Sequence, residues 1–168
     1  MPIPLSVTAI SANPDRARAA TAKEIEIAVG GQHDLVVRGV EAQLATAVTN
    51  LLANAVAYSP ERTKIALAAR ARNGFAEIAV TDSGIGIPRQ DRARVFERFY
   101  RVDQSRASST GGTGLGLAIV KHVASNHGGS VSVWSEEGLG STFTLRIPLA
   151  ARTASAGDAA ALEASKGT

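Results

Sequence analysis

The chain has 168 residues, 45% of them hydrophobic and 20% charged, the length and composition of one globular domain with a single sizeable core. It contains no cysteine, which excludes a disulfide framework, a thiolate zinc site and a thiol nucleophile. The formal charge is +3, and the whole excess lies between Arg89 and Arg106, where six Arg meet three acids; so local a patch suits a small anion, and no nucleic acid partner is expected.

Residues 5–22 are Ala-rich and predict a helix weakened at Asn13-Pro14, because proline disfavours helical geometry in the residue before it. Two short runs, 24–29 and 34–38, alternate around Gly30-Gly31 and predict a small hairpin. From Glu41 to Tyr58, the residues Leu44, Val48, Leu51, Ala55 and Tyr58 recur at helical spacing until Ser59-Pro60 breaks the pattern. Residues 63–72, with Ile65, Leu67, Ala69 and Ala71 on one face, and residues 75–82 alternate on either side of Asn73-Gly74, a preferred hairpin turn. After an Arg-rich segment, RASSTGGTGLG predicts a mobile loop. A second helix over 115–127 is closed by Gly128-Gly129, and strands over 130–135 and 141–147 flank a turn. From residue 150 large apolar residues nearly vanish, so the tail is expected to be disordered. The elements predict an α/β fold with helices layered on one mixed sheet. No stretch reaches the roughly 20 apolar residues of a membrane span, and MPIPLSVTAI does not resemble a signal peptide; an intracellular chain without membrane contact is expected.

Three constellations bear on chemistry. Asn50 and Asn54 lie four apart on one helix face, although asparagine is a poor helix former. They read either as solvated surface amides or as oxygen ligands for a hard cation such as Mg²⁺. Asp82 ends the row Ala76, Ile78, Val80, which faces the core by period-two geometry. It reads either as a turn-former before Ser83-Gly84 or as an acceptor for a planar ligand, with Gly84 and Gly86 permitting close approach and Tyr58, Ile85 and Ile87 forming walls. GGTGLGL at 111–117 opens a helix, whose free N–H groups favour phosphate, but it has neither Walker nor dinucleotide spacing. His33, His122 and His127 fit no shared metal site and read as structural or exposed.

In this order and spacing, NLLANAVAYS, DSGIGIP, FERFYR and GGTGLGL resemble the catalytic ATP-binding domain of bacterial sensor histidine kinases, within the gyrase, Hsp90, histidine kinase and MutL superfamily. SNHGGSVSVWS is similar to the wording of actinobacterial members. The resemblance covers about residues 23–148 and implies a two-layer α/β sandwich with a mixed sheet on about three helices. It divides the chain into an N-terminal helix or linker from a dimerisation domain (1–22), the ATP-binding catalytic domain (23–149) and a tail (150–168). It implies ATP and Mg²⁺, with Asn50 and Asn54 as metal ligands, Tyr58 against adenine, Asp82 accepting from the adenine amine, and Gly84, Gly86 and Ile87 at the nucleotide floor. Arg101 and Arg106 would contact the terminal phosphates and share a catalytic role with Asn50, with Arg98 in support. Gly112, Thr113, Gly114, Leu115, Gly116 and Thr142 would complete the ATP site.

Two departures stand out. A basic residue often found three past the second Asn is here Ala57, and the phosphoacceptor box is absent, so the chain is expected to begin after the dimerisation helices. The implied partners are a dimerisation and phosphoacceptor domain, in the same or a partner chain, and a response regulator. The isolated domain is expected to be a monomer, the cytoplasmic part of a membrane-anchored receptor. A stand-alone serine kinase of the anti-sigma type and a non-catalytic ATP-sensing module are the alternatives the resemblance leaves open.

Overall fold

The computed structural model describes residues 1–6, 14–102 and 112–151. Five strands, β2 (Glu26–Gly31), β4 (Lys64–Arg72), β5 (Phe75–Asp82), β6 (Ser130–Glu136) and β7 (Gly140–Pro148), form a mixed sheet in the order β2-β4-β5-β7-β6. Helices α1 (Pro14–Ala22), α2 (Glu41–Tyr58) and α3 (Gly116–Asn126) make the second layer, and β1 (Pro2–Pro4) pairs with β3 (Val36–Arg38) in a separate ribbon. This is the two-layer α/β sandwich expected.

The core follows from alternation on the strands and helical spacing on α2. Ile65 and Leu67 on β4, Ile78 and Val80 on β5, and Leu145 and Ile147 on β7 are at most 1% exposed and face one side of the sheet. Leu44, Val48, Leu51 and Ala55 of α2, with Val120 and Ala124 of α3, cover that side. Asn73 and Gly74 both take positive φ, 50° and 80°, as a two-residue turn between twisted strands requires, and the hairpin β4–β5 stands as expected. Ala71, expected on the inner face, is exposed.

Two local expectations are corrected. The segments 24–29 and 34–38 do not form a hairpin: β2 runs parallel to β4, Ile27 opposite Ile65, while β3 pairs antiparallel with β1, Ile3 opposite Val37. Alternation shows that a segment is extended but not what it pairs with, and α2 supplies the long crossover that parallel pairing needs. Nor does a helix begin at residue 5: Leu5 is 2% exposed, its N–H donates to Leu35 O at 2.7 Å, and α1 starts at Pro14, whose ring suits a first helical turn. Residues before 23 thus contribute a strand, a helix and buried side chains to this fold. The expected break at Asn13 and the expected disorder after residue 151 lie outside the described residues.

On the outer face of the sheet, Glu77 is only 8% exposed because Arg70 and Arg146 cover it, with Arg70 Nη2 at 3.0 Å and Arg146 Nε at 3.3 Å from its carboxylate.

His127 ties the two long helices together. Its Nδ1 donates to Val123 O at 2.8 Å, and its Nε2 accepts from Val40 N–H at 3.1 Å, at the start of α2, where no side-chain cap is present. An amide at a helix start lacks an intrahelical partner, so this imidazole serves as the missing cap. Replacing His127 with Ala should lower stability by about 1–2 kcal/mol in urea unfolding. His122→Ala, which removes an exposed ring beside Asn126, should change it by less than about 0.5 kcal/mol.

Candidate functional site

At one end of the sheet the core-facing rows turn polar together. On β5 the row Ala76, Ile78, Val80 ends in Asp82; on β7 Ile147, Leu145, Phe143 ends in Ser141; on β6 Val131, Val133 ends in Ser135. The register places Asp82 opposite Ser141 and Ser141 opposite Ser135, so three buried polar side chains form one transverse row. Ser135 Oγ lies 2.9 Å from Ser141 Oγ, donates to Gly140 O at 2.9 Å, and accepts from Ile87 N–H at 2.8 Å. These hydroxyl contacts hold the 84–87 loop against the sheet.

Above this row opens a cavity of about 570 Å³ between α2 and α3, lined mostly by apolar and small residues. Asn50, Asn54 and Tyr58 line it from α2, Asp82, Gly86 and Ile87 from the floor, and Arg101, Gly112, Thr113, Gly114 and Gly116 from the opposite rim. Asp82 is 6% exposed and accepts from Gly84 N–H at 2.8 Å. Burial raises its carboxyl pKa above the ordinary 3.8, while hydrogen bonds from the Gly84 and Ser141 backbones pull it back down. Gly86 takes φ +74°, and a Cβ there would stand 2.1 Å from Glu136 O, so only glycine fits.

Asn50 Nδ2 donates back to Thr46 O at 3.0 Å, which leaves its carbonyl oxygen on the side of Gly116, where a Cβ would come within 3.2 Å of it. Asn54, one turn on, lines the same wall. Among the described residues no group of three His, Cys, Asp or Glu could hold a metal, so neutral amide oxygens are the donor set available here. They fit Mg²⁺, which keeps waters and takes further oxygens from a phosphate.

Not every residue singled out from the sequence reaches the cavity. Gly84 does not line it but lies beneath it, where a Cβ would stand 2.6 Å from Tyr58 O. Leu115 is at the N-terminal end of α3 and Arg98 is exposed; neither lines the cavity. Thr142 faces the other way: it pairs with Thr81, and their hydroxyls meet at 2.9 Å on the outer face. The expectation for Thr142 is one residue out of phase, since period-two geometry gives the inner face to Ser141, which does line the cavity. Arg106 lies outside the described residues. Sequence reasoning also missed Lys23 and Ala19, which line the cavity from α1 and its exit. Ser135 was legible by the logic that found Asp82, a polar residue ending an apolar alternating row.

A carboxyl group whose folded pKa is raised costs stability as pH climbs through its unfolded value, and the cost levels off above the folded value. Asp82→Asn, which keeps an acceptor for Gly84 N–H, should therefore match or exceed the wild-type melting temperature at pH 7 and lose this part of the pH dependence above about pH 4. Thermal unfolding at pH 3.5 and 7 checks it.

The family described as histidine kinase-, DNA gyrase B-, and HSP90-like ATPase matches residues 39–151. The sensor-like histidine kinase SenX3 of Mycolicibacterium smegmatis is 56% identical over 130 residues, which are 77% of this chain and 34% of that protein. Thus the chain spans about a third of the length of this curated relative. Among solved structures, the mycobacterial sensor histidine kinase MprB aligns with a TM-score of 0.74 at 33% identity, covering 89% of this chain and 97% of that one. Full-length ShkA, solved in complex with AMPPNP, aligns with a TM-score of 0.72 at 32% identity over 89% of this chain and 31% of its own. With a buried acid under an apolar cavity, two amides on its wall and a family match over two thirds of its length, the chain belongs to the histidine kinase-, DNA gyrase B-, and HSP90-like ATPase family.

Proposed function

We propose that this chain is the catalytic domain of a sensor histidine kinase, binding Mg²⁺-ATP in the cavity and presenting its terminal phosphate to a histidine on a separate dimerisation domain. A response regulator stands downstream, and the work is done in the cytoplasm, at the inner end of a membrane-anchored receptor. The observation that carries the reading is Asp82: a carboxylate held at the floor of an apolar cavity is an acceptor waiting for a donor on a flat ligand, as the adenine amine is. Identity to SenX3 and to MprB supports the kinase assignment, and the ShkA complex with AMPPNP supports an adenine nucleotide.

Each part of the cavity has a task in this reading. Tyr58 and Ile87 sandwich the base, Gly86 lets it reach the floor, and Ser141 joins Asp82 in holding its polar edge. Asn50 and Asn54 hold Mg²⁺, which neutralises charge on the triphosphate when bound. Arg101 and the segment from Gly112 into the start of α3 at Gly116 face the phosphates, where N–H groups and the positive helix end favour anions. The chain contributes positioning and electrostatics, and the attacking nucleophile comes from elsewhere. Among the described residues lining the cavity Asp82 is the sole acid, taken up by the base at the floor in this reading, and the Asn50 amide cannot take a proton from water.

Calorimetric titration should show binding of ATP and ADP with Mg²⁺ and little binding of GTP. Asp82→Asn should weaken ATP by about 10- to 100-fold, the loss of a charged hydrogen bond. Equal GTP binding would remove the assignment of Asp82 to adenine. When the dimerisation domain of the same receptor is supplied, the chain should phosphorylate its histidine, and Asn54→Ala should abolish transfer. Acid-labile phosphate on this chain alone, lost on replacing His33, His122 or His127, would show instead a self-sufficient kinase.

A further inference from the structure

α2 ends without a cap of its own. Its last turn carries no basic residue, and Ser59 follows in an extended conformation, so the final carbonyls at the negative end of the helix need outside donors. Lys23 supplies them: its Nζ donates to Val56 O at 2.9 Å, Ala57 O at 3.1 Å and Ser59 O at 3.2 Å. The main chain of Lys23 is held as firmly, its N–H donating to Ala20 O at 3.2 Å and its carbonyl accepting from Arg62 N–H at 2.9 Å. An ammonium has three protons, and all three are directed at carbonyls here, so none is left for a ligand.

The turn that Lys23 clamps is the one that shapes the cavity floor. Tyr58 lies within it; a Cβ on Gly84 would stand 2.6 Å from Tyr58 O, and Gly84 N–H donates to Asp82. Contact therefore runs without a gap from Lys23 through the last turn of α2 to Tyr58, Gly84 and Asp82. Lys23 also lines the cavity itself, next to Ala19.

We infer that Lys23 is a positioning residue for the base end of the cavity, acting through the last turn of α2 and not by touching phosphate. The inference rests on the nucleotide reading above and deepens it by assigning a residue of the α1 exit to that site.

The test uses the full chain with Lys23→Met and Lys23→Arg, titrated with adenosine, Mg²⁺-ADP and Mg²⁺-ATP. Lys23→Met should weaken all three by a similar factor, roughly fivefold, and Lys23→Arg, which still donates to carbonyls, should recover most of it. Hydrogen exchange at Ser59 and Gly84 should speed up in the nucleotide-free Lys23→Met chain. Glu77→Gln, a change on the outer face of the sheet, serves as a control for destabilisation alone and should leave all three affinities unchanged. Should Lys23→Met not fold, Lys23→Gln carries the same comparison. A loss that grows with the number of phosphates would make Lys23 a phosphate contact and overturn the inference, as would unchanged binding and exchange. If the unsubstituted chain binds none of the three, the nucleotide reading itself falls and the inference falls with it.

Discussion

The structure depends on one helix whose two ends are satisfied by other parts of the chain. α2 carries Asn50, Asn54 and Tyr58 on its cavity side and the central core residues on the other, yet neither terminus has a cap from its own sequence. His127, 87 residues away, accepts the amide at its start, and Lys23, more than 30 residues away, takes the carbonyls at its end. A helix of 18 residues could be capped locally by Ser or Asp at one end and Gly at the other. Borrowing both caps ties the cavity wall to α3 and to the chain that leaves α1, so the site is a property of the assembled layer.

The sheet shows a related economy. Three neighbouring strands follow the same rule, apolar residues under the helices and one polar residue where the helices no longer cover, and because the register aligns their ends the polar residues meet as Asp82, Ser141 and Ser135. A buried carboxylate alone would be costly; here two backbone N–H groups offset part of the desolvation that raises its pKa. The serines, in turn, hold the glycine loop that roofs the floor beside it. Packing and recognition thus occupy successive lengths of the same strands.

How much could be read from the sequence follows from the range of the interactions involved. Helix α2 and the hairpin β4–β5 were legible because spacing and the Asn73-Gly74 turn are local signals. Asp82 was legible because one strand's alternation is enough to place it. The partners of β2 and β3 were not, because each pairs across an intervening helix, β2 with β4 across α2 and β3 with β1 across α1, and such pairing leaves no trace in either strand's own pattern. Thr142 differs again: the resemblance pointed to the right stretch of β7, but parity along the strand, which decides the face, gives the cavity side to its neighbour Ser141. Lys23 had no local signal at all, since a lysine after a helix is ordinary until the carbonyls it meets are known.

The Arg-rich segment shows why a charge count points only part of the way. Its excess suggested a small anion, yet the structure employs several of these arginines to build the rim. Arg92 donates to Ile87 O and Glu136, and Arg94 stacks over the Tyr100 ring at 4.3 Å while pairing with Glu97. Tyr100, in turn, donates to Asp91. Arg98 is exposed, and of the described arginines in this stretch only Arg101 lines the cavity, its guanidinium donating to Gly112 O. An anion in the cavity would therefore meet few full charges among the described residues and many fixed dipoles: two amides, the start of α3 and the glycine backbone. Such dipoles are already oriented before a ligand arrives, so they stabilise developing charge without reorganising. On the proposed reading, a site of this kind stabilises a phosphoryl group in transit while the nucleophile comes from another domain.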